Sequence, residues 1–232
     1  MSWLYSKALT LARAFNDSKL DLYYRLSKEA SDESFEYVQN HMRDALCFPH
    51  YPKYLVLKYS LNQIKNSGLI LEFGVYKGVS ISLIAKKLSD KKIHGFDSFQ
   101  GLPHDWSSHN MAKGTFSVNG KLPNVPKNVE LHKGLFDETL PDFVKENTEK
   151  IAFIHIDGDL YSSTKTVLGF LYDKIQKGTI IVMGAYLNHH NWKENEFKAF
   201  QEFVKQSDVT YKYLAQGRNA VCIEITSILE KK

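Results

Sequence analysis

The hydrophobic rhythm of the chain changes once, near Gly68. Before that point apolar residues recur at helical spacing. One stretch runs from Trp3 to Phe15. A second runs from Ser31 to Leu46 and opens Ser31-Asp32-Glu33-Ser34, a cap with acids in the first turn. Pro49 and Pro52 break the chain. Leu55, Leu57, Tyr59, Leu61 and Ile64 then follow a period near 3.6, predicting a third helix over Tyr54–Lys65 that Asn66-Ser67-Gly68 stops.

After Gly68 short apolar runs alternate with amphipathic ones. Strands are predicted at Leu69–Phe73, Lys92–Phe96, Val129–His132, Ile151–Ile156 and Thr179–Met183. Helices are predicted at Val79–Leu88, Glu138–Glu146, Ser163–Ile175 and Lys193–Lys205. Val209–Leu214 and Ala220–Ile225, joined by Gln216-Gly217-Arg218-Asn219, read as a closing hairpin. Continuous apolar strands between helices imply an α/β fold with a doubly wound, mainly parallel sheet covered on both faces. Such a sheet binds ligands beyond the carboxyl ends of its strands. The segments after Phe73, Phe96, His132, Ile156 and Met183 are where chemistry is expected.

Composition narrows the classes. The 232 residues suit one α/β unit with decoration. Thirty basic residues against 26 acidic ones leave +4, spread without a basic run, so no nucleic-acid partner is expected. No stretch approaches the roughly 18 apolar residues of a membrane helix, and Lys7 and Arg13 interrupt the apolar start, so a cytoplasmic protein with no membrane partner is expected. Cys47 and Cys222 lack metal-type spacing and read as two buried free thiols.

The first tip is Glu72-Phe73-Gly74-Val75-Tyr76-Lys77-Gly78-Val79-Ser80. Gly74 and Gly78 permit a tight turn and close approach of a ligand. The spacing is not the G-x-G-x-x-G of a dinucleotide pyrophosphate site, and Glu72 would repel that anion. It suits a ligand carrying an ammonium, such as the methionine part of S-adenosylmethionine; the alternative is an ordinary turn with a stray acid. Asp97, about 20 residues on, has the offset of a ribose-binding acid, or is a solvated turn aspartate. Together these residues favour a nucleoside ligand without separating S-adenosylmethionine from a nicotinamide cofactor. Phe136 either covers an adenine or packs under the next helix. Asp157 and Asp159, at the end of the most apolar strand, either bind a divalent cation, act as base, or cap the helix that follows. His155 reads as structural.

LEFGVYKGVSI, GFDSFQGLP, KGLFDETLP and HIDGDLYSST, in this order, resemble the macrocin O-methyltransferase family, from about Phe48 to Glu224. The resemblance implies a class I, Rossmann-like, seven-stranded fold, S-adenosylmethionine as cofactor, and methylation of a sugar or natural-product hydroxyl. It implies residues 1–66 as a helical segment on the substrate side, 67–232 as the cofactor-binding unit, and a homo-oligomer. The cofactor pattern falls on Glu72, Gly74, Gly78, Ser80, Asp97, Ser98, Phe136 and Asp157.

One departure stands out. The family's metal, magnesium, is held by an aspartate matching Asp157 and by two adjacent acids before a tyrosine. Here that place reads Met183-Gly184-Ala185-Tyr186. A single monodentate carboxylate is a poor magnesium site. The acceptor's proton must then go to another group. His189 and His190 are candidates as base, as partners of Asp157 for a softer metal such as zinc, or as exposed loop residues. The expectation is a methyltransferase with a degenerate or metal-independent site; the alternative is a cofactor-binding pseudoenzyme. The loop Gly101–Lys127 is long for an α/β connection and suits a lid or substrate wall.

Overall fold

The computed structural model describes residue 7, residues 21–51 and residues 54–228. The helix expected over Trp3–Phe15 lies, but for residue 7, outside them. The next helix, α1, spans Leu22–His41 and starts well before Ser31. Asp21 caps it, its carboxylate accepting the Tyr23 N–H at 2.9 Å. The start was hidden because α1 buries only Ala30 and Ser34 and leaves Leu22 and Tyr23 exposed, so no apolar stripe marks its first turns.

The elements that follow are β1 (Leu46–Cys47), α2 (Leu55–Leu61), β2 (Leu69–Phe73), α3 (Val79–Lys87), β3 (Ile93–Asp97), β4 (Val129–Lys133), α4 (Phe136–Glu146) and β5 (Ile151–Ile156). Then come α5 (Tyr161–Leu171), β6 (Ile180–Met183), α6 (Glu196–Ser207), β7 (Thr210–Gly217) and β8 (Ala220–Ser227).

These strands form one eight-stranded sheet in the order β1-β7-β8-β6-β5-β2-β3-β4. The strand beyond the expected seven is β1, where Leu46 and Cys47 pair with Ala215 and Gln216. Two residues carry no period, so only the pairing defines it. β8 alone runs against its neighbours, antiparallel to both β6 and β7. Every residue of β2, β5 and β6 is buried, which is why these strands read as unbroken apolar runs.

The sheet carries a core on each face. One joins Phe73, Ile154 and Met183 to Leu140 and Phe143 of α4, Leu168 of α5 and Phe200 of α6. The other joins Ile70, Phe153 and Val182 to Val56 and Leu57 of α2 and Ile81 and Ile84 of α3. Of the two thiols only Cys222 is buried. Cys47 is exposed, because β1 is the sheet's edge. Among the described residues no helix is long and apolar enough to cross a membrane.

Candidate active site

β2 is the reversal point of the sheet: β3 and β4 lie to one side of it, β5 and β6 to the other. The carboxyl ends of β2 and β5 therefore flank the crevice where such sheets bind ligands. A cavity of about 590 Å³ opens there.

Gly74 makes the crevice possible. Its φ is +94°, and a Cβ would lie 2.2 Å from the main-chain oxygen of Asp157. Only glycine lets the two strand tips approach so closely. Asp97 closes the neighbouring tip, accepting the N–H of Tyr76 at 2.7 Å and of Phe99 at 2.6 Å. A carboxylate has about four acceptor positions, so capacity remains on the cavity side. Gly74, Ser80, Asp97, Ser98, Phe136 and Asp157 all line the cavity, as does Asp137.

Two of the expected cofactor residues do not. Gly78, at φ +79°, is the left-handed cap of α3 and packs on Pro123 and Val125. Glu72 is fully buried, accepts the Ser80 hydroxyl at 2.8 Å, and has His155 Nδ1 at 3.1 Å. Burial raises the Glu72 carboxyl. Burial lowers His155, but Glu72 and Asp157 together more than offset it, so it too ends above its ordinary value. The pair keeps its shared proton more firmly than either group would alone. Glu72 acts on the cavity through Ser80.

Beyond β5 and β6 the acids are rearranged. Asp157 is exposed and lines the cavity, and Asp159, in the left-handed region at φ +64°, lines it too. Burial, reinforced by Asp157, holds the Asp159 carboxyl well above its usual range. A third carboxylate comes from the start of α6: Glu196, fully buried, accepts the Ala185 N–H at 2.8 Å. Burial raises it strongly, Asp159 and Asp157 adding to the effect, while the N–H groups of Ala185 and Asp159 oppose it. Among the described residues its Oε1 has no hydrogen-bond partner. No residue-type signal marked Glu196 beforehand. An acid in a first helical turn ordinarily reads as a solvated group favoured by the helix dipole.

His189 and His190 do not line the cavity. His189 is buried; its Nε2 lies 3.0 Å from the Ala185 oxygen and its Nδ1 3.1 Å from the His190 oxygen. Burial lowers it despite both carbonyls. Neither nitrogen is turned towards Asp157. The long loop does supply a wall: Leu102, Pro103, His104 and Phe116 line the cavity, and His104 Nε2 sits 2.8 Å from the Ser162 hydroxyl.

The residues present do not fit the magnesium that the resemblance implies. Ala185 lies in an apolar cluster with Leu102, Trp106 and Leu160. A Cβ at Gly184 would lie 2.1 Å from Asp157 Oδ1, so that carboxylate fills the space an acid there would need. Among the described residues, Asp157, Asp159 and Glu196 do not bring three oxygens within 4.8 Å of one another. S-adenosylmethionine, in contrast, fits. The cavity wall carries Asp97, Asp137, Asp157 and Asp159 beside the Phe136 ring, which suits a ligand with two cationic groups and a purine.

Known proteins resemble this chain in sequence and fold. The family model described as macrocin-O-methyltransferase (TylF) matches residues 56–215. Demethyldecarbamoylnovobiocin O-methyltransferase of Streptomyces niveus is 25% identical over 176 residues, 66% of this chain and 64% of that protein's length. The crystal structure of CalS11, a calicheamicin methyltransferase, superposes with a TM-score of 0.61 at 25% identity, over 74% of this chain and 77% of that one. The O-methyltransferase NovP shares the fold, with a TM-score of 0.58 at 21% identity over 73% and 79%. Since the family model covers most of the sheet and all of the cavity's strand tips, the chain belongs to the macrocin-O-methyltransferase (TylF) family.

Proposed function

We propose that this protein is an S-adenosylmethionine-dependent O-methyltransferase that methylates a hydroxyl of a small sugar-bearing or natural-product acceptor without a resident metal. The observation that carries the reading is the acid-lined cavity at the reversal point of the sheet, in a chain of this family. Bound there, S-adenosylmethionine supplies a methyl group already activated on a positively charged sulfur. The remaining requirements are alignment and removal of the acceptor's proton.

The chain's own residues meet those requirements. Asp97 and Phe136 hold the nucleoside end, and Ser80, fixed by Glu72, stands beside Gly74. Asp157 offers an exposed carboxylate to the acceptor. Asp159, which lines the cavity and whose carboxyl burial holds above its usual range, is placed to take the proton as the acceptor oxygen bonds to carbon. Glu196 is a positioning residue that holds the main chain at Ala185. Tyr54 also lines the cavity, which supports a place for the segment just before α2 on the acceptor side.

A second reading, a cofactor-binding protein without transfer, is favoured by the apolar cluster at Ala185. Calorimetric titration with S-adenosylmethionine and S-adenosylhomocysteine, with and without magnesium, tests the first. Micromolar binding indifferent to magnesium supports it, and no binding of either ligand overturns both readings. An acceptor screen then separates them.

A further inference from the structure

A second group of ligating side chains lies on another part of the molecule. His94 on β3 and His132 on β4 face each other with His94 Nδ1 3.0 Å from His132 Nε2. Glu130 completes the group: one atom from each residue lies within 4.8 Å of the others. Glu130 is the register partner of His94, so all three project from one face of the paired strands.

We propose that His94, Glu130 and His132 form a binding site for a divalent transition metal of the zinc type, independent of the methyl-transfer cavity. The donor set, two imidazoles and a carboxylate, is one that zinc accepts with a fourth position open to water. At zinc–nitrogen bonds of about 2.0–2.1 Å, tetrahedral geometry puts two nitrogens about 3.3 Å apart. The observed 3.0 Å separation needs only a small opening.

The rings are also held in place. His132 stacks on Phe96 at 4.4 Å and meets the edge of Phe143 at 5.2 Å, while His94 meets Phe143 at 5.0 Å. Ligands oriented by packing lose little freedom on binding. Without metal, one ring must donate its N–H to the other's lone pair. Binding requires that proton to move to the far nitrogen of the same ring, a change of tautomer with no net loss. Burial keeps both histidines below their ordinary value, His94 at about 4, so both are neutral at pH 7, as ligands must be. Lys92 now pairs with Glu130 at 2.5 Å, but both side chains are about half exposed, and a surface pair is displaced at small cost. Glu146 and Glu149 lie near enough to add negative potential.

The test is calorimetric titration of the tag-free protein with Zn²⁺ at pH 7.5, with Co²⁺ as a spectroscopic probe. The expected result is one saturable site of micromolar affinity and a visible Co²⁺ absorption of tetrahedral type. His132→Gln should weaken zinc binding at least tenfold and Glu130→Gln several-fold, while Asp157→Asn leaves it unchanged. Should His132→Gln fail to fold by circular dichroism, the exposed Glu130→Gln carries the comparison. Absence of saturable binding, or binding lost with Asp157→Asn but kept in the strand variants, overturns the proposal.

Discussion

Glu196 accepts the main-chain N–H of Ala185 at 2.8 Å, next to Gly184, whose Cα faces the Asp157 carboxylate. The side chain approaches from α6, and it secures the backbone of the Gly184-Ala185 segment. Removing it strands the buried N–H of Ala185, at a cost of about 1–3 kcal/mol. Glu196→Ala should therefore lower unfolding free energy by about 1–3 kcal/mol in urea titration. Since burial favours the protonated carboxyl, Glu196→Gln should cost less than about 1 kcal/mol. Equal losses in the two variants would show that the charge, and not the hydrogen bonding, matters.

Asp159 and Asp97 should separate chemistry from binding. Asp159→Asn is expected to reduce kcat by about 10²-fold or more, the usual range for a lost base. It should leave S-adenosylhomocysteine affinity within about threefold. Asp97→Ala should do the reverse in calorimetry, weakening cofactor binding at least tenfold. An Asp159 variant with normal kcat would remove it from the reaction.

Gly74→Ala forces a Cβ against the Asp157 carbonyl at a φ of +94°. Neither is accommodated by a side-chain movement. A loss of about 2–4 kcal/mol in stability is expected, with cofactor binding abolished at temperatures where the chain stays folded. Wild-type affinity in this variant would mean that the β2 and β5 tips can separate without consequence.

Restoring an acid should not restore a metal site. Ala185→Asp places a carboxylate among Leu102, Trp106 and Leu160, a loss of about 3–5 kcal/mol for an unpaired buried charge. Melting curves should show a lower Tm that magnesium does not raise. A magnesium-dependent rise would reveal a latent cation site at Asp157.

The loop wall should respond to acid. His109 stacks on Trp106 at 3.6 Å, and burial, with His189, His190 and Arg218 adding repulsion, lowers it from 6.5 to about 4. Between those values the unfolded chain binds a proton that the folded chain refuses. Stability is thus complete above pH 6.5 and falls as the pH drops towards 4. His109→Gln should show a smaller fall in Tm between pH 7.5 and 4.5 than the wild type. The other titrating groups are common to both chains and cancel in the comparison.

Much of this was readable in advance, for physical reasons that differ by element. Ile151–Ile156 read correctly because both of its faces are buried, so every position reports the core. Gly74, Asp97 and Asp157 read as cavity residues because a parallel sheet dictates where its ligand sits. Glu72 stood out in the sequence as an acid before a glycine turn, but its burial was not legible, since its partner His155 lies far away in sequence. The paired histidines at 189 and 190 suggested chemistry, yet their surroundings are decided by the fold of residues 184–192. Glu196 was silent: only the packing of α6 against the β5 and β6 tips separates it from an ordinary surface acid.

The placement of β8 has a consequence for how the chain is made. Among the described strands it comes last in synthesis, yet it lies inside the sheet, between β7 and β6. As the chain leaves the ribosome, β2 to β5 can assemble with the cavity's Gly74, Asp97 and Asp157 already in register. The apolar edge of β6, with Ile180 to Met183 all buried in the end, must wait unpaired until residues 220–227 emerge. For that interval the nascent chain carries a nearly complete cofactor crevice beside an uncovered strand, which makes early ligand capture a means of protection and β6 the segment where premature association between neighbouring chains would begin.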